Sequence, residues 1–177
     1  MRVENHRIVE AYHMMAAECG GYMDPELVVL HYTAGSSLSG AVATLTKPGA
    51  PLVSCHLIVG PEGELVQCLP FNLVAYHAGK SEWLGRKACN KFSIGIEIVN
   101  PGYMRRGIKW AHGTVRAKHR NGGPEREWCL YTDAQYRTLR MVLEAIGPLP
   151  VVGHDDVAPG RKVDPGPAFV WDNLLPK

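Results

Sequence analysis

Three of the eight histidines stand at or beside the ends of short apolar runs that are typical of β-strands. They are His31 in ELVVLHYT, His56 in SCHLIVG and His154 in LPVVGH. In sheets covered by helices, functional side chains gather at strand ends, because the loops there are rigidly supported. A single histidine in such a place is more often structural than a ligand, so the hypothesis of a shared site depends on the combination.

The segment VVGHDDVAPGRKVDPG (Val151–Gly166) concentrates ionisable side chains on a stretch that predicts a loop. Zinc in hydrolytic sites takes three protein ligands from histidine and carboxylate side chains and keeps a fourth position for water. His31 and His154 could supply two imidazoles from separate strands, and Asp164 could supply the carboxylate. The segment therefore favours a metal site on a loop that its prolines and glycines stiffen.

Hydrolysis of an amide also needs a base for the water, an acid for the departing amine and a charge that stabilises the oxyanion. Glu97 is the one carboxylate in the apolar run FSIGIEIVN, where burial would raise its pKa toward neutrality. Lys162 stands two residues before Asp164 and would lie beside the metal as a compact positive charge. The alternatives are an ion pair for Glu97 and a solvated loop position for Lys162.

The hydrophobic pattern predicts helices in three places. One covers the first twenty residues, a second lies in AGSSLSGAVATLTKPG with a serine cap and a stop before Pro48, and a third opens with the capping box TDAQ. The apolar side of the first helix would comprise Ile8, Ala11, Tyr12 and Met15. The core face of the third would comprise Tyr136, Leu139, Leu143 and Ile146.

Strands are predicted for Glu26–Thr33, for a hairpin around Pro61–Gly63 and for Phe92–Asn100. Strands that alternate with helices favour a parallel sheet, and the hairpin adds an antiparallel pair. The predicted fold is therefore α/β, with residues 1–177 as a single domain, a central mixed β-sheet flanked by helices and the zinc site at strand ends. The side chains of the predicted strand Phe92–Asn100 alternate, with Ile94, Ile96 and Ile98 on one face and Gly95, Glu97 and Val99 on the other.

The composition excludes several classes of protein. A net charge of +2 over 177 residues gives no reason to expect nucleic-acid binding. The N-terminus has scattered charges, and no run approaches the roughly 18 apolar residues of a membrane span, so we expect a cytoplasmic protein without a signal peptide. The odd number of cysteines, without a C-x-x-C pair, favours buried free thiols at Cys19, Cys55, Cys68, Cys89 and Cys129.

The least regular part of the sequence is Pro101–Trp128, and it is basic. One interpretation is a solvated loop, and the other is an inserted lid or a contact for an anionic substrate. Six cations precede its first acidic residue: Arg105, Arg106, Lys109, Arg116, Lys118 and Arg120.

Four motifs together resemble the zinc-dependent N-acetylmuramoyl-L-alanine amidases, a family of phage endolysins, 1,6-anhydro-muropeptide amidases and peptidoglycan recognition proteins. The motifs are VLHYTAG, SCHLIVGPEGELVQCLPF, AYHAGKSEWLGRKACNKFSIGIEI and GHDDVAPGRKVDPGPAF. They occur in the family's order and cover Leu27–Asn100 and Thr132–Trp171. Four ordered motifs are a far more specific signal than any one of them.

The resemblance implies a role for each matching residue. His31, His154 and Asp164 correspond to the zinc ligands, Glu97 to the base of the anhydro-muropeptide branch, and Lys162 to the lysine that stabilises the transition state. In some phage relatives a catalytic tyrosine occupies the position of Cys55, and its absence here favours the glutamate mechanism. The substrate-binding residues implied by the motifs are Tyr32, His56, His77, Arg86 and Asn90.

The predicted function is zinc-dependent hydrolysis of the bond between the lactyl group of N-acetylmuramic acid and L-alanine of the stem peptide. The protein would act on peptidoglycan or muropeptides as a monomer. It would serve either in muropeptide recycling or as an endolysin that reaches the wall through a phage holin or another non-Sec route. The alternatives are a non-catalytic peptidoglycan-binding module of the same fold and a structural fold with coincidental histidines.

Overall fold

A computed structural model describes residues 1–48 and 52–174 of the chain. The strands of this part are, in chain order, β1 (Val3–Glu4), β2 (Arg7–Ile8), β3 (Tyr12–His13), β4 (Leu27–Tyr32), β5 (Leu57–Val59), β6 (Leu65–Gln67), β7 (Glu82–Trp83), β8 (Arg86–Lys87), β9 (Ser93–Ile98), β10 (Thr114–Lys118), β11 (Glu125–Cys129) and β12 (Val151–Gly153). The helices are α1 (Leu38–Leu45), α2 (Asp133–Ile146) and α3 (His154–Val157), with 3₁₀ helices at Cys89–Lys91 and Trp171–Leu174. Within these described ranges, no helix has the length and apolar character needed to cross a membrane.

The central sheet has six strands in the order β12-β4-β9-β5-β6-β3. Strands β12, β4, β9 and β5 run parallel, β6 is antiparallel to β5, and β3 is parallel to β6. The predicted mixed sheet and the predicted hairpin are both confirmed. Four parallel strands at one end of the sheet bring their carboxyl ends to the same edge.

The register of the parallel strands brings distant residues together at that edge. His31 near the end of β4 lies directly opposite Glu97 of β9. Gly153 at the end of β12 lies opposite Leu30, so His154 follows it beside His31. Residues that are far apart in sequence therefore meet through strand pairing alone.

The two faces of the sheet are covered by different helices. Ile94, Ile96 and Ile98 of β9 belong to the core cluster that includes the buried side of α2, whereas Val99 packs with α1. Because side chains alternate along a strand, Glu97 shares the face of Val99, away from α2. The alternation predicted for this strand is confirmed.

The two predicted helix starts after residue 30 are confirmed at their caps. The Ser37 hydroxyl accepts from the Gly40 amide at the start of α1. Thr132 and Gln135 form the reciprocal capping box of α2, which ends at Gly147. Each cap satisfies amide groups that have no partner within the helix.

The prediction of an N-terminal helix is wrong. Residues 1–20 contain the short strands β1, β2 and β3, and Asn5 and His6 adopt left-handed backbone conformations in the turn between the first two. Ile8 is fully buried, but Tyr12 is 74% exposed, so the three-to-four spacing does not define a buried face. Instead, the amides of Met14 and Ala16 donate to carbonyls of Gln67 and Cys68 and tie the segment to the sheet edge.

We predicted that Pro101–Trp128 is the least regular part of the chain, and for the second half of this segment the prediction is wrong. Strands β10 and β11 pair antiparallel in five-residue register as a hairpin. The outer positions of this hairpin are charged and exposed, and Trp128 is the buried anchor. A hairpin that buries so few side chains carries little hydrophobic alternation, which is why the sequence pattern did not reveal it.

The prediction of free thiols is confirmed, and the prediction that they are buried holds for four of the five but is wrong for Cys19. Cys55, Cys68, Cys89 and Cys129 are buried and Cys19 is exposed. The four buried cysteines pack as small apolar side chains in the core.

Candidate metal centre and active-site cleft

His31, His154 and Asp164 converge on one point at the edge of the sheet. Nδ1 of His31 lies 2.8 Å from Nδ1 of His154, and Oδ2 of Asp164 lies 3.0 Å from the first nitrogen and 2.9 Å from the second. All three residues are buried. A zinc ion binds such atoms at about 2.0–2.2 Å, so one ion fits against all three.

The outer nitrogens of the two rings decide which tautomer each histidine adopts. Nε2 of His154 donates to the Ala78 carbonyl at 3.1 Å. Nε2 of His77 is 3.2 Å from the Ser93 carbonyl, so it carries the hydrogen, and Nδ1 of His77 accepts from Nε2 of His31 at 2.9 Å. Both facing Nδ1 atoms therefore present lone pairs beside a carboxylate oxygen. Three lone-pair atoms this close repel one another unless a cation lies between them, and outer hydrogen bonds of this kind are typical of metal-binding histidines.

The charge states of these groups also suit a metal. Burial lowers the pKa of His31 to about 4, so its imidazole is neutral at neutral pH. Burial alone would raise the pKa of Asp164, but the close contacts of its carboxylate with the His154 and His31 rings outweigh burial and hold the pKa below its usual range. Metal binding requires neutral imidazoles and ionised carboxylates, and His31 and Asp164 meet that requirement.

Glu97 lies next to this triangle with an unsatisfied oxygen. Its Oε2 is buried and has no hydrogen-bond partner among the described residues. Burial, together with the nearby charge of Asp164, raises the pKa of Glu97 well above 4.5, while Lys162 acts to lower it. A buried carboxylate without a partner is costly, and such groups cluster at functional sites.

A cleft of about 420 Å³ opens over the triangle and Glu97. It places Lys162 and Tyr32 at the same opening as the metal-binding atoms. Burial raises the pKa of Tyr32 further above its ordinary value of 10, so the phenol keeps its proton. The predicted site residues that line the cleft are His31, Tyr32, His77, Glu97, His154, Lys162 and Asp164.

Three predicted substrate-binding residues lie outside the lining of this cleft. His56 is fully buried; its Nδ1 accepts from the Gly95 amide and its Nε2 donates to the Leu73 carbonyl. Asn90 is turned inward, and its Oδ1 accepts from the amides of His77 and Ala78. The structure therefore gives these two residues a supporting position, because their polar atoms are already used by the protein.

Arg86 is the third of these residues, and it faces the surface. Its guanidinium pairs with the Glu26 carboxylate, with Nη2 and Oε1 3.0 Å apart, and it lies 4.1 Å from the centre of the Phe92 ring. The side chain is half exposed and does not reach the cleft.

Arg161 is a cleft residue to which sequence reasoning assigned no role. Its guanidinium donates to the carbonyls of Ala78 and Lys80 and thereby ties the loop of Asp164 to the segment that holds His77. The only sequence signal for it was its place beside Lys162 in GRKVDPG. Its carbonyl partners could not be identified before the fold was known.

Replacing Gly95 by alanine tests the support of His31. A Cβ atom at Gly95 would lie 2.3 Å from Cγ of His77, so the ring would have to move and lose its bond to Nε2 of His31. We expect zinc affinity to fall about 10- to 100-fold, the range for loss of an outer partner of a metal ligand. Competition with a chelator measures this, with Gly21→Ala as control because open space surrounds that glycine. Unchanged affinity in Gly95→Ala would refute the role of His77.

A larger cavity, of about 810 Å³, lies along α2. Arg137, Met141 and Glu144 are among its lining residues. It belongs to the helix that covers the opposite face of the sheet from Glu97. We therefore place the functional site in the smaller cleft, where the chemically competent groups converge.

A buried His–His–Asp triangle with an open cleft and an unpaired carboxylate is the arrangement of a metal-dependent hydrolytic site. The family described as N-acetylmuramoyl-L-alanine amidase (Amidase_2) matches residues 21–167. The chain therefore belongs to this family. All of the predicted metal-binding and catalytic residues lie within the matched range.

The sequence is also similar to those of individual curated amidases. The 1,6-anhydro-N-acetylmuramyl-L-alanine amidase AmpD of Escherichia coli is 41% identical over 125 residues, which are 67% of this chain and 55% of the relative. The chain thus spans about half the length of the curated relatives it matches.

Solved structures share the fold over nearly the whole chain. A crystal structure of an AmpD selenomethionine derivative is similar with a TM-score of 0.73 and 29% identity, covering 98% of this chain and 97% of that one. E. coli AmiD in complex with anhydro-N-acetylmuramic acid-L-Ala-D-gamma-Glu-L-Lys gives a TM-score of 0.66 at 30% identity, covering 91% of this chain and 59% of that one.

Proposed function

We propose that this chain is a zinc-dependent N-acetylmuramoyl-L-alanine amidase. It would hydrolyse the amide bond between the lactyl group of N-acetylmuramic acid and L-alanine of the stem peptide. The observation that carries this proposal is the triangle of His31, His154 and Asp164 beside the unpaired oxygen of Glu97, inside one cleft. Family membership supplies the substrate class.

In this proposal His31 and His154 would hold zinc through Nδ1, and Asp164 would hold it through Oδ2. When bound, zinc polarises the amide carbonyl and makes water acidic enough to lose a proton near pH 7. The bonds from His31 to His77 and from His154 to Ala78 hold the two rings in the tautomer that zinc requires.

Glu97 is the proposed base and acid. Its buried carboxylate takes a proton from the attacking water while the water oxygen forms a bond to the lactyl carbonyl carbon. When the carbon–nitrogen bond breaks, Glu97 delivers that proton to the alanine nitrogen, so the products are a lactyl carboxylate and a free amine. Burial raises the pKa of Glu97 above that of an ordinary carboxyl group, which helps it to hold the proton between the two steps.

Lys162 and Tyr32 are proposed to contact the substrate. Both line the cleft, and the ammonium group of Lys162 can stabilise negative charge that develops on the carbonyl oxygen. The Tyr32 phenol remains protonated and can donate a hydrogen bond. His77 lines the cleft as well, whereas His56, Asn90 and Arg86 would act from outside it.

Soluble anhydro-muropeptides are the proposed substrates. The AmpD relatives are named for 1,6-anhydro-N-acetylmuramyl-L-alanine, and the similar AmiD structure holds an anhydro-N-acetylmuramic acid peptide. We expect faster release of peptide from anhydro-N-acetylmuramic acid tripeptide than from intact sacculi at equal concentrations of the bond. Preferential digestion of sacculi would favour wall lysis, and binding of both without cleavage would identify the non-catalytic alternative.

Removal of the metal provides a separate prediction. Dialysis against a chelator should abolish hydrolysis and leave the protein folded, and adding about one equivalent of zinc should restore it. The expected cause is loss of the polarising cation while the sheet and its core remain intact. Muropeptide hydrolysis and circular dichroism measure the two effects, and full activity of protein shown to be free of metal would contradict the proposal.

The single domain over residues 1–177, the monomeric state and the cytoplasmic location stay predictions. Size-exclusion chromatography with light scattering measures the oligomeric state directly. Fractionation of expressing cells measures the location.

A further inference from the structure

A buried carboxylate, Asp155, follows His154 directly and belongs to no step of the proposed reaction. It is 4% exposed. Nε2 of His119 donates to its Oδ2 at 2.9 Å. Arg120 donates through Nε to the same oxygen at 3.1 Å and through Nη2 to Oδ1 at 2.7 Å. Both oxygens of Asp155 are thus held by two consecutive residues that follow β10.

The contact extends to the next residue of the same turn. The side-chain amide of Asn121 donates to the Asp155 carbonyl at 3.0 Å, and the Asn121 backbone amide donates to Nδ1 of His119. This second bond fixes the His119 tautomer with its hydrogen on Nε2, toward Asp155. We call His119, Arg120, Asn121 and Asp155 the hairpin clasp.

The clasp is connected to both ends of the metal-binding segment. Asp155 is covalently joined to His154, and its backbone amide donates to the Asp164 carbonyl at 2.9 Å. Arg120 also donates to Oδ1 of Asp156, whose other oxygen caps the Gly153 amide. Hydrogen bonds therefore run from the hairpin to the backbone that carries two of the three proposed zinc ligands.

The hairpin clasp also stabilises the buried charge of Asp155. An ionised carboxylate beside a cation site could compete with Asp164, and a buried carboxylate without partners is strongly destabilising. The Asp155 side chain is turned back over Gly153, so that a Cβ atom there would lie 2.3 Å from Oδ1. His119 and Arg120 satisfy it in that orientation.

We propose that His119 and Arg120 are positioning residues of the metal centre: by binding Asp155, they hold the backbone of His154 and Asp164 in the arrangement that accepts one ion. The hairpin of β10 and β11 thereby contributes to metal retention, although its residues do not line the metal-binding triangle. This inference rests on the proposed zinc site.

The test uses the full chain and four variants. Arg120→Ala removes three donor contacts from a half-exposed side chain, and His119→Ala removes the buried donor. His119→Gln restores an N–H group at the Nε2 position. Arg116→Ala is the matched control, because Arg116 lies on the same hairpin and pairs with Glu125 within it.

Two measurements are made on each protein. Chelator competition gives the zinc dissociation constant, and amide exchange in the metal-free protein reports on the bond from the Asp155 amide to Asp164. We expect Arg120→Ala and His119→Ala to weaken zinc binding about 10-fold and to speed exchange in residues 153–166. We expect His119→Gln and Arg116→Ala to resemble the parent chain in both.

Unchanged exchange and unchanged zinc affinity in Arg120→Ala would overturn the proposal, and so would an equal loss in Arg116→Ala. If His119→Ala does not fold, Arg120→Ala and His119→Gln still test whether the hairpin clasp positions the metal-binding segment. Failure of the proposed function looks different: the parent chain itself would then bind no zinc, while the exchange measurement would still show whether the clasp holds the segment.

Discussion

Replacing Glu97 by glutamine should remove most turnover and, at neutral pH, stabilise the metal-free protein. Glutamine fills the same space but cannot accept the proton of water, and loss of a general base costs about 10²- to 10⁴-fold in kcat. The gain in stability follows from the buried, unpaired oxygen of Glu97, whose ionisation the folded state disfavours.

The sign of the stability effect depends on pH. The pKa of Glu97 is raised in the folded protein above the ordinary value of 4.5, so the carboxyl group favours folding below 4.5 and this contribution is lost as the pH rises through the raised pKa. The glutamine side chain does not ionise, so the Glu97→Gln variant loses no unfolding free energy at this position over that pH range. Its advantage in unfolding free energy should therefore be absent at low pH and grow above pH 4.5.

Urea unfolding of metal-free protein at several pH values measures the stability, and muropeptide hydrolysis with zinc measures kcat. Glu144→Gln is the matched control, because Glu144 is an exposed glutamate of α2. Near-normal hydrolysis by Glu97→Gln would refute the assignment of the base. A glutamine variant that is less stable at neutral pH would refute the buried, unpaired state.

Replacing Asp164 by alanine should remove both zinc and activity. The substitution leaves two imidazoles without the anionic ligand that completes the triangle. Metal content should fall from about one zinc per chain to nearly none after dialysis, and hydrolysis should fall to background. Asp164→Cys should retain part of the zinc, because a thiolate is also a zinc ligand.

Elemental analysis and chelator competition measure the metal, and Asp172→Ala is the control for loss of an exposed aspartate. The contrast with Glu97→Gln is informative, because that variant should keep its zinc. If Asp164→Ala bound zinc as tightly as the parent chain, the triangle would not be the metal site.

The convergence of His31, Glu97 and His154 could be predicted from the sequence because these residues mark strand ends. His31, Glu97 and His154 each stand on a short apolar run, and parallel pairing brings such positions to one edge of a sheet. Gly95 could not be recognised, because its importance depends on the His77 ring that packs against it from another segment. The same holds for Asn90, whose backbone partners depend on the fold.

The structures of the N-terminal segment and of the hairpin could not be predicted from the sequence, for a related reason. Residues 1–20 form no independent face, and main-chain bonds to Gln67 and Cys68 determine their conformation. The hairpin of β10 and β11 exposes most of its side chains, and His119 and Arg120 find their partner in Asp155 across 35 or more residues. Hydrophobic periodicity indicates which side chains pack against a core, but it does not indicate polar pairs between residues that are far apart in sequence.

Mass spectrometry of the reaction products shows directly whether the protein cleaves the amide bond between the lactyl group and L-alanine. Zinc-loaded protein is incubated with anhydro-N-acetylmuramic acid tripeptide in oxygen-18 water. We predict two products, a sugar lactate that carries one oxygen-18 in its carboxylate and an unlabelled peptide with a free L-alanine amine. Intact substrate, or label in a peptide carboxylate released by cleavage within the stem, would refute the proposed amidase activity.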